Sequence, residues 1–252
     1  MGHERLGALP RSRPWQDVVA RMGSFNSAGD VKPVARAVVE NVQRRIPDIP
    51  KDTGVQASFA FLVGLAVASR SEDPTEVYPW EINLPDSGTP LELGLVLRQW
   101  VRAQGIQGEY AELATQAATD ALVDWYERHP SSQHDLFVAA PEPYGPWRGI
   151  RDGRGFSELA HAYFSAFTKR YLDYFLDREA SAVIPTIEQR ERFDDGVARH
   201  SAETAKITQS FAAGWFNGHT KDGLPPIAEV EGFLGVAFRK IREELLRERD
   251  AV

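Results

Sequence analysis

His200 and Thr204 stand one helical turn apart on a stripe whose members, Phe193, Val197, His200, Thr204, Ile207, Phe211 and Trp215, recur every three or four residues. A histidine and a hydroxyl on a largely apolar face can line a small polar pocket. They can equally be core groups hydrogen-bonded to a neighbouring helix, which is what buried polar groups ordinarily achieve. The pattern favours the second reading and leaves the first as a candidate binding site.

Arg148, Arg151 and Arg154 recur at intervals of three beside Trp147. Their guanidinium forks suit carboxylate or phosphate recognition, and on one helical turn they would lie along one side. Alternatively they pair with the acidic middle of the chain and only fasten the loop that carries them. Trp147, Arg148, Arg151 and Arg154 are nonetheless the best contact candidates, with His200 and Thr204 as the pocket candidates. No residue is nominated as catalytic.

Other pairings suggest chemistry and then fall short of it. Glu158 and His161 form a Glu-x-x-His pair, but a carboxylate-bridged di-iron bundle needs two such pairs and two further glutamates, all facing inward. Asp194 and Asp195 adjoin a glycine in a long helical stretch. A Mg²⁺–diphosphate site needs a longer acidic pattern and a second acidic motif, so a solvated face is the expectation. Neither metal nor cofactor is expected. No Ser-His-Asp spacing, HExxH or GxGxxG occurs in a usable context. That weighs little against an enzyme, because sites assembled from distant helices leave no local signature.

The charge is unevenly spread. Residues 1–50 carry eight basic and five acidic side chains, whereas residues 51–150 carry six basic and fourteen acidic. Phosphate backbones bind clustered Lys and Arg, so most of the chain would repel nucleic acid. Only the first fifth and the 148–154 arginines could attract it. The formal net charge is −7 and there is no cysteine, which excludes disulfides, thiolate metal sites and cysteine nucleophiles. No membrane span, apolar signal core or myristoylation pattern is read in the sequence, and a cytoplasmic protein is the expectation.

The elements that would position these residues all read as helices. Val55–Ala68 is apolar on nearly every side, as a helix buried all round must be, and at about fourteen residues it is short of the roughly 20 a membrane span needs. Thr53 and Gln56 fit a capping box at its start. A helix from an Asp30 cap to about Ile46 buries Ala35, Val38, Val39, Val42 and Ile46. Thr89, Pro90 and Glu92 open another helix, whose inner stripe is Leu93, Val96, Leu97, Trp100 and Val101. Glu109–Arg128 is amphipathic with a small-residue middle that permits close helix approach. His129–Gly155 lacks a period, with a short helix expected over 144–151. Phe156–Ile184 is a long aromatic helix. Pro185 separates it from a second helix beginning at Thr186, most simply as an antiparallel hairpin, with one kinked helix as the competing picture. A last helix follows Pro226, with Ile227, Val230, Leu234, Ala237, Ile241 and Leu245 inward.

The expected fold is therefore an all-α, single-domain bundle of about seven or eight helices with a long C-terminal hairpin, a basic arm over 1–14 and one helical domain over 15–252. The function that follows most directly is a non-catalytic interaction or scaffold subunit with a protein partner or a second copy of itself. The first alternative is a helical-bundle enzyme or small-molecule-binding protein with a polar pocket near His200. The second, nucleic-acid association through the arm and the 148–154 arginines, is the least favoured.

Overall fold

The computed structural model describes residues 12–25, 31–42, 46–78, 82–129 and 142–247. The basic arm, apart from Ser12, Arg13 and Pro14, lies outside the described residues, as do the Asp30 cap, Trp80 and the loop segment 130–141. Regular structure among the described residues is helical throughout: α1 Arg13–Gly23, α2 Val31–Val42, α3 Thr53–Ala68, α4 Pro74–Val77, α5 Pro90–Ala103, α6 Glu109–Arg128, α7 Gly153–Val183, α8 Ile187–Ala205, α9 Gln209–His219 and α10 Ile227–Leu246. Short 3-10 turns occupy Ile46–Lys51, Gly145–Ile150 and Lys206–Thr208. The protein is all-α, and none of its described helices is long and apolar enough to cross a membrane.

The α3 helix is the centre of the core. From Gly54 to Ala68 every side chain is buried except the partly buried Val67. Phe59 meets Phe156, Tyr163 and Phe164 of α7 and stacks on Phe233 of α10 at 5.3 Å. Burying each large apolar side chain here contributes roughly 1.5–3 kcal/mol, gross. Its cap is Asp52, one residue before the expected Thr53: the carboxylate accepts from the N–H groups of Gly54 and Val55 at 2.9 and 3.0 Å. Gln56 does not close a capping box; its amide donates to the Pro50 carbonyl at 2.9 Å.

The alanines of α6 bring its backbone close to α3. A Cβ on Gly54 would fall 2.2 Å from the Ala111 Cβ, so the approach depends on a hydrogen at that position. Thr89 caps α5, accepting from the Glu92 N–H while its hydroxyl donates to the Glu92 carboxylate at 3.2 Å. Helices α7 and α8 form the antiparallel hairpin, not one kinked rod. Lys169 bonds Asp194 at 2.6 Å, and further back along α7 His161 reaches the Ala202 carbonyl further forward on α8 at 2.9 Å.

Two further details differ from the expected pattern. The second arm of the hairpin is interrupted by the Lys206–Thr208 turn, where the Thr208 hydroxyl donates to the Ala205 carbonyl at 2.7 Å. Ile227, expected inward, is 54% exposed because it is the first residue of its helix.

Candidate functional site

Four helices converge on one open groove of about 500 Å³. Helix α2 turns its valines inward, and this leaves Lys32, Arg36 and Glu40, spaced by four, on the opposite face. On α8, Phe193 and Val197 anchor one side in the core while His200, Glu203 and Thr204 reach the groove. The last turn of α1 contributes Arg21, and the end of α10 contributes Leu245 and Arg247.

Most of the charges in the groove are matched. Lys32 Nζ is 3.4 Å from Glu203 Oε2, Arg36 Nε is 2.8 Å from Glu40 Oε1, and Arg247 Nη1 is 2.9 Å from Glu244 Oε1. Arg21 makes no ion pair among the described residues. Four cationic side chains thus face three carboxylates.

His200 sits among them half-buried, and neither ring nitrogen has a hydrogen-bond partner among the described residues. Burial holds its pKa below the usual 6.5; the charge of Lys32 pushes the same way, and Glu203 opposes them. The imidazole is therefore neutral at pH 7, with one N–H donor and one acceptor nitrogen. A buried polar atom left without a partner costs about 1–3 kcal/mol, so this ring is short of something to bond. Thr204 cannot supply it with a proton, because its hydroxyl donates to the His200 carbonyl at 2.7 Å. Its oxygen remains an acceptor.

The 148–154 arginines are arranged differently. Arg148 lies on the Gly145–Ile150 turn, Arg151 follows that turn, and Arg154 is inside α7. Asp152 divides them by capping α7, its carboxylate accepting from the Gly155 N–H at 2.9 Å. They are therefore not one side of one helix. Arg148 pairs with Glu142, and Arg154 approaches Glu158 at 3.7 Å from a 91% exposed position. The Arg151 carbonyl accepts from Arg70. Trp147 is fully buried, with its indole N–H donating to the Gly88 carbonyl at 2.7 Å. None of the four lines the His200 groove.

The remaining candidate pairs have structural partners. Glu158 faces Arg154 and, at 4.0 Å, Arg128. His161 Nε2 is engaged by the Ala202 carbonyl. Asp194 is paired with Lys169. Among the described residues, no group of three or more histidines and carboxylates is placed to hold a metal ion.

Arg21, Lys32 and Arg36 carry no motif that would have singled them out. The spacing of Lys32, Arg36 and Glu40 marks a polar helix face, but only the packing of α2 against α8, with α1 against α2, makes that face a wall. No family model, curated protein or solved structure matches this chain.

Proposed function

We propose that this chain is a small-molecule-binding protein whose ligand occupies the groove between α1, α2, α8 and α10. The observation that carries the reading is His200. Its ring lines a cavity together with charged side chains from other helices, and among the described residues neither of its buried nitrogens has a partner. A solid core at that position would have left no such reading. The groove is lined mainly by charged and polar side chains, with apolar surface only from Pro33, Ala37 and Leu245, so the ligand it suits is itself polar or charged. The experiment is a ligand-observed NMR screen of a metabolite mixture against the wild-type chain and Ala37→Trp, which fills the groove from α2. Saturation transfer that appears with the wild type and vanishes in a folded Ala37→Trp protein supports the reading. No transfer to any compound, or transfer unchanged by the substitution, overturns it.

An interaction or scaffold role is the second reading. It is favoured by Leu91 and Leu95, 68% and 46% exposed and one turn apart on α5, with Val123 also exposed on the adjoining α6. A protein partner or a second copy would cover them. Sedimentation of the wild type and Leu95→Glu tests this: an assembly that the glutamate disperses supports it, and a monomer at all concentrations removes self-association.

A further inference from the structure

We infer that the groove ligand carries an oxyanion, a carboxylate or a phosphate, held by the guanidinium of Arg21 with the His200 N–H as a second donor. This rests on the reading of the groove as a ligand site. Lys32, Arg36 and Arg247 spend their charge on Glu203, Glu40 and Glu244, so a neutral or cationic ligand would find each carboxylate already engaged. Among the described residues the unmatched group at the groove is a cation, Arg21, and its planar fork is the side chain best suited to two-pronged oxyanion binding.

An arginine in the last turn of a helix has a plain structural use, since it complements the negative end of the helix dipole. That use needs no groove. Arg21 instead lines one whose wall holds an imidazole with no partner for either nitrogen among the described residues. Lys32 disfavours a proton on that imidazole more than Glu203 favours one. A neutral imidazole can donate one hydrogen bond to an oxyanion without giving up a proton. Pro33, Ala37 and Leu245 then offer apolar surface to the carbon body of the molecule.

The test uses the full chain and follows its amide resonances by NMR during titration with inorganic phosphate, succinate and the neutral analogue succinamide. Shifts on α1, α2 and α8 are expected with at least one anion and not with succinamide. A response to both anions identifies a general oxyanion site, phosphate alone points to a phosphate ester, and succinate alone to a carboxylic acid. Arg21→Gln is expected to weaken the anion at least tenfold. Lys51→Gln, which removes an equal charge at the distant Lys51–Asp48 pair, is expected to change it less than twofold. Equal weakening by both variants would reduce the effect to net charge and overturn the inference. If neither anion binds while a neutral compound from the metabolite screen does, the oxyanion is wrong and the groove reading stands. If nothing binds, both fall.

Discussion

Lys32 on α2 holds its ammonium 3.4 Å from the Glu203 carboxylate on α8, and of the charges that act on the intervening His200 ring it is the stronger. The pair ties two helices across the groove, while burial, with Lys32 adding to it and Glu203 opposing, keeps the imidazole neutral. Replacing Lys32 with Met should therefore raise the His200 pKa toward 6.5, read from the pH dependence of its ring Hε1 resonance. An unchanged or lower value would contradict the assigned cause.

The same histidine sets a sign for stability. A folded-state pKa below the unfolded 6.5 means that the unfolded chain binds the proton more readily. The contribution is fully present above pH 6.5 and is lost as pH falls from there through the folded value. His200→Gln should flatten this part of the urea-midpoint profile below pH 6.5. A profile as steep as that of the wild type would assign the slope elsewhere.

Asp173 behaves in the opposite sense. Burial raises its pKa from 3.8 to about 6, with Asp177 and Asp194 adding to the rise and Lys169, 2.7 Å away, opposing it. Here the folded chain holds the proton more tightly, so the contribution is greatest below about pH 4 and declines as pH rises to about 6. Asp173→Asn should gain on the wild type progressively across that window, less a constant loss from the Lys169 hydrogen bond. A difference independent of pH would refute the raised pKa.

Gly155 lets the Gly145–Ile150 turn fold back onto the start of α7. A Cβ there would lie 1.8 Å from the Gly149 carbonyl oxygen, which is backbone and cannot swing aside. Gly155→Ala should cost at least the roughly 1–3 kcal/mol of ordinary overpacking, measured as a lowered urea midpoint. Wild-type stability would show that the turn packs differently.

Phe59→Ala removes the ring that joins α3 to α7 and α10. The expected loss is about 3–5 kcal/mol by chemical denaturation. A loss under 1 kcal/mol would mean that α3 is not the centre of the core.

Much of the helical framework was legible because its signals are local. The α3 helix needs no period to be recognised, since a helix surrounded by protein is apolar all round. Thr89 and Glu92 cap α5 as their spacing predicts, and Pro185 separates two helices that then pack on each other. Where local signals competed, the reading slipped. Asp52 and Thr53 are both good caps, and the carboxylate engages two N–H groups. The break at Lys206–Thr208 contains no Gly or Pro to announce it. At the candidate site, His200 and Thr204 were visible as polar interruptions of an apolar stripe. Arg21 lies eleven residues before Lys32 and far from α8 in the chain, so their meeting is a product of tertiary packing. The arginine spacing of 148–154 suggested one helix face, and the Asp152 cap splits it between two elements.

The measurement closest to the central claim is the ¹⁵N spectrum of the His200 ring in the full chain, recorded with and without saturating phosphate or succinate at pH 7. A ligand that satisfies the ring should shift its protonated nitrogen and perturb the Arg21 Nε resonance in the same titration. Ring and guanidinium spectra that stay unmoved by either anion, in a protein that remains folded, would contradict it.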